Sequence, residues 1–187
     1  MVKTVFDVFS YLSLLGQIGI LLVILPYIIK PLFKNIVYKK VVNFISKRAY
    51  VLAFFLSLTA TLSSLFISEI GRLQPCLLCW YQRIFMYPQP ILLLIALFKK
   101  EFVLKTYLIT LNITGSIIAL YHYLLQILPK SQIITCNKPL TGISISCTEN
   151  YNFYFGYMSF PLMAFTVFIM LIIFINSYDA ENIDRTK

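Results

Sequence analysis

Long apolar runs separated by short polar stretches dominate the chain. Alternation of apolar and polar positions, which is typical of a half-buried strand, is absent from these runs. Each run is near the ~20 residues that a helix needs to cross a hydrocarbon core of ~30 Å, where every backbone N–H and C=O needs a partner inside the protein. The pattern therefore predicts an all-α integral membrane protein with five helices. Their approximate bounds are Val5–Ile29, Tyr50–Ile70, Pro75–Phe98, Phe102–Leu128 and Tyr157–Asn176.

The five predicted helices divide into an N-terminal helix and a core of four. Residues 1–49 are predicted to hold the first transmembrane helix and a basic cytoplasmic loop, residues 50–176 the four-helix core, and residues 177–187 a cytoplasmic tail. The first run is longer than the ~7–15 apolar residues of a signal peptide and lacks a small-x-small cleavage site, so we expect it to be retained.

Composition supports a membrane protein and excludes two other classes. Hydrophobic residues make up 59% of the 187 positions and charged residues 12%, whereas a soluble domain has about 25% charged residues. A chain this apolar cannot stay disordered in water. The net charge of +9 fits basic loops on the cytoplasmic side of a membrane better than nucleic-acid binding, because no basic stretch belongs to a recognisable binding module.

The basic residues also predict the orientation of the helices. Eleven of the sixteen lie between the first and second helices, around the turn between the third and fourth, or after the fifth; the other five lie on the opposite side. Because basic residues collect in cytoplasmic loops, the N-terminus is predicted to lie outside and the C-terminus in the cytoplasm. Residues 71–74 and 129–156 would then face outward.

All four cysteines fall on this predicted outer side. Cys76 and Cys79 lie at the outer end of the third helix, and Cys136 and Cys147 lie in the long outer stretch. Disulfides form and persist in oxidising compartments, so this placement agrees with a redox function outside the cytoplasm.

The string PCLLCWYQR at residues 75–83 carries the clearest chemical signal. Proline is tolerated in the first turn of a helix, and a helix that starts here would place Cys76 and Cys79 on one face, with Arg83 continuing the same stripe. The positive end of the helix dipole and the guanidinium would both favour a thiolate, which is the species that attacks disulfides. The C-x-x-C spacing is typical of an exchangeable dithiol.

The four cysteines also allow two other interpretations. A Cys₄ zinc site is disfavoured because ten residues separate Cys136 from Cys147, where ~2–4 are usual. Two purely structural disulfides are a stronger alternative, although a membrane bundle has less need of them than a small secreted domain. Four cysteines allow three pairings, and the spacing does not choose among them.

Arg83 and the only histidine, His122, are predicted to lie at similar depth, a short distance inside the outer surface. An arginine there by default extends its head to lipid phosphates, and a lone histidine is as readily explained by a hydrogen bond to a helix carbonyl. Together, however, the two side chains would suit the carbonyl groups of a flat, lipid-soluble electron acceptor.

With these features the chain resembles the DsbB family, and within it the Gram-positive BdbC-like branch. The resemblance rests on the string at 75–83, on Tyr121-His122-Tyr123 with Gln126, and on the cysteine pair in the next outer loop; it covers roughly residues 51–174. It implies a DsbB-like four-helix bundle, here with one additional N-terminal transmembrane helix, in the bacterial plasma membrane. It also implies a membrane enzyme that reoxidises an extracytoplasmic thioredoxin-like dithiol oxidase and passes the electrons to a quinone.

The resemblance also implies roles for the four cysteines. Cys136 would be attacked by the partner's thiolate to form a mixed disulfide, and Cys147 would exchange with Cys76. Cys79 would then face the quinone. The loop between Cys136 and Cys147 is shorter than in proteobacterial members of the family.

The same resemblance implies that Arg83 and His122 help to bind the quinone, which would be ubiquinone or menaquinone, and no metal is expected. Two other functions compete with this one. The vitamin K epoxide reductase type uses similar chemistry, but its loop cysteines precede the C-x-x-C, whereas here they follow it. A non-catalytic assembly subunit held by two disulfides is the alternative from another class.

Overall fold

The computed structural model describes residues 2–28, 36–72, 75–99, 103–128 and 156–185, and Cys136 and Cys147 lie outside these ranges. The described part is helical apart from short turns, which confirms the predicted all-α class. Within the described ranges six helices follow one another: α1 (Val2–Ile28), α2 (Ile36–Glu69), α3 (Leu77–Met86), α4 (Pro88–Lys99), α5 (Val103–Ile127) and α6 (Phe160–Arg185).

Three of these helices contain segments long and apolar enough to cross a membrane. The segments are Lys47–Glu69, Leu104–Ile127 and Phe160–Ser177. In α1, the part whose side chains are described contains a shorter apolar stretch, Ser10–Leu21. That α1 also spans the membrane therefore stays a prediction.

The prediction of one helix over Pro75–Phe98 was wrong in detail, because this region forms two helices. The helix begins at Leu77 rather than at Pro75, and it ends at Met86 before α4 starts at Pro88. Pro88 and Pro90 have no backbone N–H, so the helical hydrogen bonds that those positions would normally donate are missing at the junction. Proline at the first helical position is well tolerated, and the chain therefore restarts a helix at Pro88.

The second helix also starts earlier than predicted. It was expected near Tyr50 but begins at Ile36, so that part of the predicted basic loop is helical. Its 34 residues would extend ~51 Å at 1.5 Å per residue, well beyond a hydrocarbon core of ~30 Å. The apolar segment occupies only the C-terminal part, from Lys47 onward.

Helix α6 occupies the centre of the bundle and packs against α1, α2 and α5. Its approach to α5 is close because Gly115 has no side chain: a Cβ at that position would lie 2.5 Å from the ring of Phe168. Small residues of this kind let transmembrane helices come together. Phe168 is fully buried in the resulting core.

A buried amide pair joins α4 to α5. Gln89 Nε2 donates to Asn112 Oδ1 at 3.1 Å, and Asn112 Nδ2 donates to Gln89 Oε1 at 2.9 Å. The second hydrogens of the two amides are donated to the backbone carbonyls of Phe85 and Leu108. Because all four amide donors have partners, the pair fixes the two helices without leaving an unsatisfied donor in the apolar interior.

Candidate active site at the start of α3

The two cysteines of the C-x-x-C lie at the N-terminal end of α3. Cys76 is the N-cap residue, with extended backbone angles, and Cys79 lies in the first turn. Their sulfurs are 3.2 Å apart, whereas a disulfide bond is ~2.05 Å long, so the pair is present as the dithiol. Cys76 is buried and Cys79 is half-buried. The predicted sharing of one face is therefore confirmed, although Pro75 precedes the helix instead of lying in its first turn.

His122 on α5 lies directly against Cys76. The ring Nε2 is 3.7 Å from Cys76 Sγ, and the ring Nδ1 is 3.1 Å from Gln82 Nε2. When the Gln82 amide donates to Nδ1, the ring hydrogen is on Nε2, which then faces the sulfur. His122 is 2% exposed, so this contact is made away from water. The arrangement can stabilise negative charge that develops on Cys76 Sγ during thiol–disulfide exchange.

Arg83 extends from α3 to α2. One terminal nitrogen donates to the Ser64 backbone carbonyl at 3.1 Å, and the other lies 3.4 Å from Ser68 Oγ. The guanidinium also lies over the ring of Trp80, 5.4 Å from its centroid. Within the described part of the chain, Arg83 Nε is buried and has no hydrogen-bond partner. These protein contacts distinguish Arg83 from an arginine that only extends toward lipid phosphates.

A cavity of about 690 Å³ connects the predicted site residues that the structure describes. Cys76, Cys79, Arg83 and His122 all contribute to its lining. Most of the remaining wall is apolar and comes from α1, α2 and α6. Gln126 also lines the cavity, and its Oε1 is a second buried polar atom without a hydrogen-bond partner among the described residues. The cavity thus offers an apolar chamber with a few polar groups beside the dithiol, as is typical of sites for small molecules.

The same geometry brings three metal-binding atoms together. The sulfurs of Cys76 and Cys79 and a ring nitrogen of His122 all lie within 4.8 Å of one another. Two thiolates and an imidazole are ligands that zinc accepts. Binding of such an ion would require both sulfurs in the reduced form, and it would prevent them from forming a disulfide.

Sequence reasoning predicted the residues proposed to react but missed the residues that contact them. Gln82 and Gln126 entered only as members of a motif, with no role of their own, and Ser64 and Ser68 did not enter at all. A glutamine three residues beyond a C-x-x-C was a usable signal, because a polar side chain at that spacing must share the face of Cys79. Nothing in the sequence pointed to the two serines on α2.

The contact with Gln82 can be tested by replacing it with leucine, which cannot donate to His122. Loss of one buried hydrogen bond costs about 0.5–1.5 kcal/mol, so the turnover number for thiol oxidation should fall roughly 2- to 10-fold. The loss should appear in turnover, because Gln82 acts through His122 on Cys76, although the Gln82 side chain also lines the cavity. The matched control is Gln89→Leu, which removes another buried glutamine contact and should lower stability without this effect on turnover. A higher acceptor KM with unchanged turnover would contradict the assignment.

Comparisons with known proteins agree with this description. The family model for disulfide bond formation protein DsbB matches residues 46–177. The SPbeta prophage-derived disulfide bond formation protein B of Bacillus subtilis is 44% identical over 125 residues, which cover 67% of this chain and 81% of that protein. Disulfide bond formation protein C of the same organism is 41% identical over 118 residues, which cover 63% and 83%.

A third relative comes from another organism. The probable disulfide formation protein C of Halalkalibacterium halodurans is 40% identical over 117 residues, covering 63% of this chain and 82% of that protein. No solved structure matches the chain significantly. Since the family model covers more than half of the chain and includes the whole C-x-x-C region, this protein is a member of the DsbB family.

Proposed function

We propose that the protein oxidises an extracytoplasmic thioredoxin-like dithiol oxidase and transfers the electrons to a membrane quinone. Membership of the DsbB family makes it a disulfide-forming thiol oxidoreductase in a membrane. The finer proposal adds the donor, the acceptor and the route between them. One observation carries it: the Cys76–Cys79 dithiol lines an apolar cavity in the bundle, where a lipid-soluble acceptor can reach it.

The proposed route consists of two thiol–disulfide exchanges and one oxidation. The partner's dithiol attacks the Cys136–Cys147 disulfide at Cys136, so that the partner leaves oxidised and the loop pair is reduced. The loop pair, through Cys147, then reduces the Cys76–Cys79 disulfide at Cys76 and becomes oxidised again. Each exchange breaks one S–S bond and forms one, and it moves two electrons and two protons.

In the last step the Cys76–Cys79 dithiol closes to a disulfide. Two electrons and two protons leave the sulfurs, and a bound quinone would accept both the electrons and the protons. Cys79 is the sulfur proposed to face the acceptor, because it lies one helical turn before Arg83 and lines the cavity. His122 contacts Cys76 Sγ through Nε2 and Gln82 through Nδ1, so we propose that it acts mainly on the Cys76 sulfur. Its ring also lines the cavity.

The polar groups of the cavity fit a quinone in both redox states. A quinone has carbonyl oxygens that accept hydrogen bonds, and Arg83 has an N–H donor without a partner in the described structure. A quinol has hydroxyl groups that donate, and Gln126 Oε1 is an acceptor that lacks a donor among the described residues. Arg83 and Gln126 would therefore hold the ring, and the apolar walls would enclose its tail.

The proposal is tested with the purified full-length chain, a reduced thioredoxin-fold dithiol protein, and ubiquinone or menaquinone under anaerobic conditions. We expect one quinone to be reduced for each two partner thiols lost. Alkylation mapping of the oxidised protein should show disulfides 76–79 and 136–147. Thiol loss without quinone reduction, or a resting disulfide between the two pairs, would contradict the relay. A non-catalytic subunit would give neither thiol loss nor quinone reduction.

The orientation of the chain is a separate proposal. With eleven basic residues on one side and five on the other, a cysteine introduced at Lys39 should be shielded from membrane-impermeant reagents in intact cells. One introduced at Asn150 should be labelled. Both substitutions belong in a background whose native cysteines have been blocked. Labelling of the cysteine at position 39 alone would mean that the true topology is the reverse of the predicted one. Labelling at both positions would mean that the first helix does not span the membrane.

A further inference from the structure

Helix α1 lies outside the region matched by the family model, yet it is closely attached to the core. Gly16 allows it to approach α6, because a Cβ there would lie 2.9 Å from Met170 Sδ and 3.4 Å from Thr166 Cγ2. Beside this contact, Gln17 Nε2 donates to Thr166 Oγ1 at 3.2 Å. Gln17 Oε1 also accepts a hydrogen bond from Tyr157 Oη at 3.2 Å, at the end of the outer stretch. The first helix is therefore held in a defined position against α6.

From this position α1 contributes to the cavity that contains the dithiol. Its lining residues are Leu12, Ser13, Leu15 and Gly16. Helix α2 lines the same cavity with residues from Phe55 to Ile67. The residues at positions 13 and 16 are small, and the two leucines provide an apolar surface. The cavity that reaches Cys79 is thus bounded in part by a helix outside the family core.

Three of these lining residues are also largely exposed. Leu12 is 51% exposed, Leu15 64% and Phe55 57%, although all three border the cavity. A side chain that borders a cavity and is also exposed at the outer surface of the protein lies at the mouth of that cavity. In a membrane protein the exposed apolar face of such helices is in contact with lipid. If α1 spans the membrane as the sequence predicts, the mouth between α1 and α2 opens sideways into the hydrocarbon region.

We propose that α1 forms the lipid-side wall of the acceptor site, and that the isoprenoid tail of the quinone passes between Leu12 and Leu15 of α1 and Phe55 of α2. This inference rests on the proposed function. A quinone bound beside Cys79 must place its ring in the cavity while its tail continues into lipid, and this mouth is apolar on both sides. Because lipid is as apolar as leucine, the wall selects for the tail by shape and packing rather than by removing it from water.

The test compares two matched double variants of α1 in the full-length chain. Leu12→Trp with Leu15→Trp narrows the mouth. Ile18→Trp with Leu21→Trp makes the same changes at residues that are 45% and 64% exposed but do not line the cavity. For each variant, the apparent KM is measured for a quinone with a long isoprenoid tail and for a tail-less analogue. The increase in Tm caused by each quinone, without any electron donor, gives a second readout that does not depend on turnover.

We expect the mouth variant to raise the apparent KM for the tailed quinone about 10-fold and to lose most of its Tm increase. Its KM for the tail-less analogue, and both quantities in the control variant, should stay within about twofold of wild type. An unchanged KM and Tm increase for the tailed quinone in the mouth variant would overturn the inference, as would equal losses in the two variants. If the double variant does not fold, each single substitution carries the same comparison.

Failure of the inference and failure of the proposed function give different results. If quinone is not the acceptor, wild-type protein neither reduces a quinone nor gains stability from one. If quinone is the acceptor but α1 is not its wall, wild type responds to both quinones and the mouth variant behaves like the control.

Discussion

Replacing Cys79 with serine is expected to reduce steady quinone reduction to less than about 10% of the wild-type rate. A hydroxyl cannot form a disulfide with Cys76, so the reduced loop pair has no Cys76–Cys79 disulfide to reduce, and the electrons stop at Cys136 and Cys147. The two sulfurs are 3.2 Å apart, which agrees with the proposal that this pair closes to a disulfide during turnover. A threshold of 10% is generous, because it allows an error of ~1.4 kcal/mol in the barrier.

The same variant should still react once with its partner. Cys136 and Cys147 are unchanged, so a single equivalent of partner dithiol should be oxidised before the reaction stops. Rapid quench with alkylation would measure that equivalent, and the change in quinone absorbance would measure steady turnover. A suitable control is Ser116→Ala, since Ser116 is a buried serine that does not line the cavity. Steady quinone reduction above the threshold by Cys79→Ser would refute the assignment of Cys79.

Replacing Arg83 with lysine is expected to weaken the apparent quinone affinity roughly 10- to 100-fold. The arginine uses its two terminal nitrogens on Ser64 and Ser68, and its Nε–H remains for a ligand. Lysine has one ammonium group and no counterpart of Nε, so it cannot contact α2 and a carbonyl oxygen in the same way. Loss of a hydrogen bond to a charged donor costs about 1.5–3 kcal/mol, which corresponds to the expected change in affinity.

Arg72→Lys provides the matched control for this prediction. Arg72 is an exposed arginine in the turn after α2 and does not line the cavity, so its replacement should leave quinone kinetics unchanged. Partner oxidation in a single turnover should survive in both variants. The measurement is the apparent KM for quinone at saturating partner. An unchanged value for Arg83→Lys would reject the proposed acceptor site, although it would leave the thiol relay intact.

The features that could be predicted from the sequence are those that depend on residues close together in the chain. Runs of ~20 apolar residues can only be helices in lipid, so the class of the fold followed from their lengths. The C-x-x-C places two sulfurs one helical turn apart whatever surrounds them, and this local rule predicted the reactive pair. The two prolines at positions 88 and 90 were a local signal as well, and they could have predicted the break between α3 and α4.

The contacts of His122 and Arg83 with other helices could not be predicted from local sequence. His122 reaches Cys76 across 46 residues of sequence and Gln82 across 40, and Arg83 reaches the Ser64 carbonyl across 19. Each of these contacts depends on how far one helix is shifted and rotated against another. Apolar periodicity gives the buried face of a helix but not its register against a neighbour, since many registers bury the same apolar area.

A helical membrane protein with a dithiol near one end of a helix, and an arginine one turn further on, follows from the amino-acid sequence alone. Those properties depend on segment length, composition and spacing within a single helix. The three-dimensional packing was needed to see that His122 faces the sulfur, that Arg83 donates hydrogen bonds to α2, and that α1 borders the cavity. Those contacts depend on the distance and register between helices that are far apart in the chain, and small residues such as Gly16 and Gly115 set the close approach of α1 and α5 to α6.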